Sequence, residues 1–193
     1  MQKITDKKTL RRSYLQARQA MPLDLWRKKS DRLCNHLRRS PQFQSARTVL
    51  AYSSFRQEPD VSSLFELDGR TWGFPRCVGK VLSWHQWSPQ NPVPLQSGAF
   101  GILEPHPDSP VLHSEEVDLI LVPAVACDRH GYRLGYGGGF YDRMLSEPAW
   151  KDKRAIGIVF SEFHVEKLPS DVWDQRLQGV CTDSGWFDIL ADI

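Results

Sequence analysis

Residues 118–143 read DLILVPAVACDRHGYRLGYGGGFYDR, and this stretch decides the class of the fold. Its first eight residues are almost wholly apolar and lack the alternation of a strand that keeps one face in water. Such a run predicts a central parallel strand covered by helices on both sides. Five of the thirteen glycines then fall between Gly131 and Gly139, and the segment after them predicts a helix starting around Gly139. A second strand-like run, RAIGIVF at 154–160, completes a strand, loop, helix, strand unit.

The same rhythm extends towards the N-terminus. RTVLAYSSF at 47–55 is rich in strand formers, 61–67 predicts a short helix after Pro59, and 71–74 and 81–87 predict further strands. Pro89, Pro92 and Pro94 mark a loop. Before these, Leu10, Tyr14, Ala17 and Met21 recur at helical spacing, predicting an amphipathic helix over roughly 5–21 that Pro22 closes. Trp26, Leu33 and Leu37 mark a second helix ending near Pro41. No repeat, low-complexity tract or linker interrupts the chain, so residues 1–193 are read as one α/β domain.

Composition excludes several classes. With 193 residues, 40% of them hydrophobic and 25% charged, the chain can bury roughly 70% of its unfolded surface and needs no disulfide or structural metal. The longest apolar run, 119–126, is broken by Pro123 and is far short of the ~20 residues that cross a bilayer. The polar start, 1–8, has no secretory signature, so a cytoplasmic protein with no membrane partner is expected. Cys34, Cys77, Cys127 and Cys181 lie 43, 50 and 54 residues apart and form no C-x-x-C pair, which predicts buried, reduced thiols. The six histidines show no H-E-x-x-H.

Charge is uneven. Residues 1–40 hold twelve Lys or Arg against Asp6, Asp24 and Asp31, a balance of +9, so the rest of this +2 chain carries −7. That asymmetry suggests an anionic partner near the N-terminus, against the alternative of two solvated basic helices. The glycine cluster suggests the same guest. Consecutive glycines let backbone N–H groups approach an anion, and a following helix start adds partial positive charge. Yet there is no G-K-[ST], and Phe140 stands where G-x-G-x-x-G needs its last glycine.

The segments 118–128 and 131–143 together resemble the hallmark of 5-formyltetrahydrofolate cyclo-ligases, also called methenyltetrahydrofolate synthetases. The similarity continues through KKTLR at 7–11, RQEPD at 56–60, GILEP at 101–105, and Leu168-Pro169 to Trp173-Asp174. It implies a three-layer α/β/α fold with a mostly parallel central sheet, Rossmann-like and of the NagB/RpiA/CoA-transferase-like type. It also implies an ATP- and Mg2+-dependent closure of 5-formyltetrahydrofolate to 5,10-methenyltetrahydrofolate, with release of ADP and phosphate.

Residue by residue, the resemblance assigns ATP binding to Lys7, Lys8, Thr9, Leu10 and Arg11. It assigns the same role to the loop Arg133, Leu134, Gly135, Tyr136, Gly137, Gly138, Gly139, Phe140 and Tyr141. Substrate binding falls to Ser53, Glu58 and again to Tyr136, Gly137, Gly138, Gly139 and Phe140. Asp142 and Asp174 match the magnesium carboxylates, and Arg133 and Asp142 are the expected catalytic pair. Lys7 and Arg11 are an i, i+4 step and share a helix face. A carboxylate such as Glu58 suits a pterin edge, which presents adjacent N–H donors. Trp173, beside Asp174, stands where many relatives carry histidine. Tyr136 and Gly138 stand where some carry arginine and lysine, which shifts the expected phosphate charge onto backbone N–H groups, Arg133 and Arg143.

The implied partners are folate, with or without a polyglutamate tail, and ATP, acting on a monomer with no nucleic acid. Two other readings stand beside this one: a different ATP-dependent ligase or phosphotransferase on the same scaffold, and a non-catalytic module that binds nucleotide, folate or nucleic acid.

Overall fold

The computed structural model describes residues 6–67 and 69–189. Helix α1 (Lys7–Gln19) starts at Asp6, whose carboxylate accepts from the Lys8 and Thr9 amides, an N-cap that fixes the first turn. Helix α2 (Leu23–Arg39) follows Pro22, and the short α3 (Pro41–Ser45) is capped by the Ser40 hydroxyl. Strands β1 (Thr48–Leu50), β2 (Thr71–Val78) and β3 (Val81–Gln86) come next, then the two-residue strands β4 (Gln96–Ser97) and β5 (Leu103–Glu104). Strand β6 (Leu119–Pro123) leads into the small strands β7 (Ala126–Asp128) and β8 (Arg133–Leu134), and helix α4 (Phe140–Ser146) follows. The chain continues through β9 (Arg154–Ile158), β10 (His164–Val165), β11 (Gly179–Thr182) and β12 (Gly185–Asp188).

Seven strands form one sheet in the order β12-β11-β9-β6-β1-β2-β3. The five inner strands are parallel, and β12 and β3 join antiparallel at the two edges. Strand β6 is central, and its apolar run is explained by burial on both faces. Leu119 and Leu121 pack into a cluster with Leu33, Cys34 and Leu37 of α2, whereas Ile120 and Val122 pack into a second cluster with Met144 and Leu145 of α4. Helices on both sides of a mostly parallel sheet give the three layers expected.

Several boundaries differ from expectation. The strand predicted over 47–55 pairs only over Thr48–Leu50. The chain then bends away, because Arg56 and Gln57 take left-handed backbone angles (φ 48° and 55°); Arg18 of α1 donates to the Arg56 carbonyl, and the Gln57 side chain donates to the Met21 carbonyl just after α1. The helix predicted over 61–67 is a single 3-10 turn, Ser62–Leu64. Strand β6 ends at Pro123, and the run at 154–160 is a strand only to Ile158.

Gly157 sits in β9 between two parallel neighbours. A Cβ there would lie 2.6 Å from Cys127 Sγ and 3.0 Å from Leu177 Cδ1. Gly157→Val should therefore lower unfolding free energy by roughly 1–3 kcal/mol through overpacking, as read from the urea midpoint of the variant against the parent.

Chain order places a crevice. From β1 the sheet grows through β2 on one side and through β6 on the other, and open α/β sheets bind ligands outside the strand ends at such a reversal.

Candidate active site

A cavity of about 920 Å3 opens at this position. Its walls come from α1 (Lys7, Arg11), the chain after β1 (Tyr52, Ser53, Phe55, Glu58), the glycine loop 135–139, the start of α4, and the segment 171–175. Residues far apart in sequence thus meet where β1 and β6 end.

The loop is built from the strand outward. Asp128, fully buried at the end of β7, accepts from the amides of His130, Tyr132 and Leu168, all at 2.9 Å. Those three bonds fix the turn that delivers Arg133. The Arg133 guanidinium donates to the Gln175 carbonyl at 2.9 Å and pairs with Asp142 Oδ1 at 2.8 Å. Beyond it, Gly137 and Gly139 take φ of 101° and 65°, conformations a side chain resists, and Gly139 serves as the N-cap of α4. Arg11 Nε reaches across from α1 to the Gly135 carbonyl at 2.6 Å. Helix α4 has only seven residues, so the dipole contribution expected from it is small, and side-chain cations supply more of the positive field.

Two ion pairs define one end of the cavity. Lys7 Nζ lies 2.5 Å from Asp174 Oδ2 and 2.6 Å from Asp171 Oδ2. Two of the cations expected to meet phosphate are therefore paired with the carboxylates expected to meet a metal, Lys7 with Asp174 and Arg133 with Asp142. Contacts to each carboxylate fall on a single oxygen, Oδ1 of Asp142 and Oδ2 of Asp174. Among the described residues, no cluster of three or more His, Cys, Asp or Glu forms a metal site by itself.

Glu58 marks the other end. It is 3% exposed, its Oε2 accepts from the Phe55 amide at 3.1 Å, and Trp26 Nε1 and Ser54 Oγ both donate to its carbonyl. Burial pushes its carboxyl up to about 7, against the opposing pull of the Arg18 guanidinium. Tyr136, from the glycine loop, comes down beside it, with its ring 6.2 Å from that of Phe55. Burial pushes the Tyr136 and Tyr141 phenols well up, so both remain neutral donors near neutral pH.

Most residues assigned from the sequence meet here. Lys7, Arg11, Ser53, Glu58, all of 133–141, Asp142 and Asp174 line the cavity. Three do not. Thr9 donates its hydroxyl to Asp6, Lys8 is exposed, and Leu10 packs against the core. Arg143 lines the wall, but its Nε and Nη2 donate to the carbonyls of Lys80 and Gly138. Cys77 departs from the expectation of buried thiols: it is half-buried and lines the cavity, whereas Cys34, Cys127 and Cys181 are buried and all four are free.

Sequence reading missed two cavity-side groups. Glu104 is 4% exposed and accepts from the Cys77 amide at 3.0 Å. Arg18 is 1% exposed beside Glu58. A signal for Arg18 was present, since Lys7, Arg11 and Arg18 run at i, i+4 and i+11 along one face of α1.

The sequence profile of the 5-formyltetrahydrofolate cyclo-ligase family matches residues 3–183. A 5-formyltetrahydrofolate cyclo-ligase of Mycolicibacterium smegmatis is 34% identical over 91% of this chain and 93% of its own length. That of Escherichia coli is 34% identical over 75% of this chain and 82% of its own. In three dimensions, the NMR structure of Aquifex aeolicus 5,10-methenyltetrahydrofolate synthetase superposes with a TM-score of 0.84 at 31% identity, covering 97% of this chain and 94% of the other.

Proposed function

The chain belongs to the 5-formyltetrahydrofolate cyclo-ligase family, and from that premise we propose how its own residues close 5-formyltetrahydrofolate to 5,10-methenyltetrahydrofolate with ATP. The observation that carries the reading is one cavity with paired cations at one end, a buried carboxylate at the other, and a glycine loop between them. A volume of about 920 Å3 is at the upper end for small-molecule sites, as two substrates require.

At the nucleotide end, the phosphates take Lys7, Arg11 and Arg133, together with backbone N–H groups of 135–139. Anion binding to Lys7 and Arg133 releases their present partners, Asp174 and Asp142. Each of these carboxylates has one oxygen without a hydrogen bond or ion pair among the described residues. That donor set fits magnesium, which takes one or two protein carboxylates and completes its shell with water and phosphate oxygens. When bound, the cation supplies charge neutralisation on the phosphates.

At the folate end, the Glu58 carboxylate accepts from the N–H donors of the pterin. The loop 135–139 borders both substrates and brings the N5 formyl oxygen towards the γ-phosphorus. The oxygen attacks, an O–P bond forms, and the bond to the ADP oxygen breaks. The formyl carbon, now attached to a phosphorylated oxygen, is attacked by N10, which loses its proton. The carbon–oxygen bond then breaks and phosphate leaves. Arg133 neutralises charge on the moving phosphoryl group, and the walls hold two reactants in register, so positioning and electrostatics do the catalysis.

In this reading the working unit is a monomer whose partners are the small molecules folate and ATP, with no nucleic acid. Among the described residues no helix is long and apolar enough to cross a membrane.

Purified protein mixed with 5-formyltetrahydrofolate and MgATP should develop the near-ultraviolet absorbance of the methenyl product together with ADP, in equal amounts. Absence of product, or product formed without ATP, would overturn the cyclo-ligase reading. ADP formed with no change in folate would favour a different phosphotransferase.

A further inference from the structure

Arg18 is the most deeply buried cation on α1, and nothing in the phosphate chemistry uses it. It lies eleven residues after Lys7, or roughly 16 Å further along the helix at 1.5 Å per residue. That distance carries the basic stripe from the nucleotide end to the folate end. Its Nε donates to the Arg56 carbonyl at 3.0 Å, its Nη1 to the Ala124 carbonyl at 3.0 Å, and its Nη2 to the Tyr136 hydroxyl. The same Nη2 stands 4.0 Å from Glu58 Oε1. Tyr136 thus lies beside Glu58, where its hydroxyl favours the ionised carboxylate.

Each contact serves the carboxylate. The Arg56 carbonyl belongs to the left-handed pair Arg56–Gln57 that turns the chain so that Glu58 faces the cavity. Ala124 directly follows the central strand β6, and Tyr136 is the loop residue that Arg18 binds. We propose that Arg18 is a positioning residue for folate recognition: it keeps Glu58 ionised and aimed at the pterin, and it locks the glycine loop to that carboxylate through Tyr136. The proposal rests on Glu58 being the pterin acceptor.

Among the described residues, the groups around Glu58 leave Arg18 as its single close counter-charge. From its own loop, Phe55 presents an amide, while the Arg56 guanidinium stacks on the rings of Phe55 and Tyr136. From α2, Trp26 binds the Glu58 carbonyl. Tyr52, Tyr136 and Tyr141 are neutral phenols, all pushed up partly by Glu58 itself. Burial raises the Glu58 carboxyl to about 7 and Arg18 opposes it, so losing Arg18 raises it further. Folate binding that needs the ionised form then fades at a higher pH.

The test is equilibrium binding of 5-formyltetrahydrofolate, followed by tryptophan fluorescence without nucleotide from pH 5 to 9, in wild type, R18Q, R18K and E58Q. Wild-type affinity should fall as pH drops through about 7. In R18Q the limb should move up by at least one pH unit, with ~10-fold weaker binding at pH 7 and recovery towards pH 9. R18K loses the guanidinium geometry but keeps the charge, and its limb should stay near that of wild type. E58Q should bind weakly at every pH.

Equal losses in R18Q and R18K at every pH, with no moved limb, would reduce Arg18 to a structural residue and overturn the proposal. Wild-type affinity in E58Q would instead remove the pterin role of Glu58, and this inference with it. Should R18Q not fold, 15N-arginine-labelled wild type decides: one guanidinium Nε–H signal titrates near pH 7 and ceases to do so in E58Q, and the absence of such a signal overturns the proposal.

Discussion

Arg133→Ala should lower turnover by at least ~100-fold, with the sheet and core intact. Arg133 is held before any ligand arrives: its side chain is 5% exposed and fixed between the Gln175 carbonyl and Asp142 Oδ1. A cation fixed in a largely water-excluded wall stabilises charge on a transferring phosphoryl without reorganising at the moment of reaction. Alanine leaves water, which must reorient. The loss should appear in single-turnover formation of the methenyl product more than in the KM for ATP, because Lys7 and Arg11 still hold the phosphates. Arg133→Lys should restore only part of the rate, since one ammonium cannot reproduce the planar fork that spans Gln175 and Asp142. Asp142→Ala should fall into the same range, and the double variant should be no worse than about the poorer single one, because the two side chains act as a unit. Near-wild-type turnover in R133A would show the loop assignment to be wrong.

Glu58→Ala should lower kcat/KM for 5-formyltetrahydrofolate by at least ~100-fold while leaving the KM for ATP nearly unchanged. Each buried donor left without its acceptor costs about 1–3 kcal/mol, and a pterin edge brings at least two to this carboxylate. A site built around a buried hydrogen-bonding group discriminates far more strongly than an apolar pocket does. Steady-state assays with each substrate varied in turn separate the outcomes. A matching rise in the KM for ATP would place Glu58 at the wrong end of the cavity, and an unchanged folate term would remove it from recognition.

The two variants also test how far the two ends are independent. Glu58 and Arg133 have no hydrogen bond or ion pair between them among the described residues, so their effects should add. Tyr136 is the element that touches both neighbourhoods, through the loop it belongs to and through its contact with Arg18. As a tyrosine it adds no charge to the loop and ties it to Arg18.

The run at 118–125 revealed the central strand because burial on both faces leaves no polar alternation, and a single strand can show that in its own composition. The glycine cluster revealed the loop for a similarly local reason: Gly137 and Gly139 are needed for backbone angles, and backbone angles are set residue by residue. Lys7 and Arg11 were visible together because helical spacing is a local rule. The strand expected at 47–55 was cut short by contacts from α1 and its C-terminal turn, some 30 to 40 positions away in sequence, which no local rule contains. Cys77 was missed for the same reason, since β2 brings it to the cavity wall from a site with no motif of its own, and Glu104, though inside GILEP, owes its place in the wall to β5.

What the chain determined by itself was therefore the layer order, the glycine-rich bend and the residue types available for chemistry, because pattern and backbone preference act over a few neighbouring positions. What the tertiary structure alone decided was the pairing: Lys7 with Asp174, Arg133 with Asp142, and Arg18 with Glu58. Electrostatic partnership depends on distance in space and on exclusion from water, and both are set only when α1, the strand ends and the segment 171–175 close around one cavity.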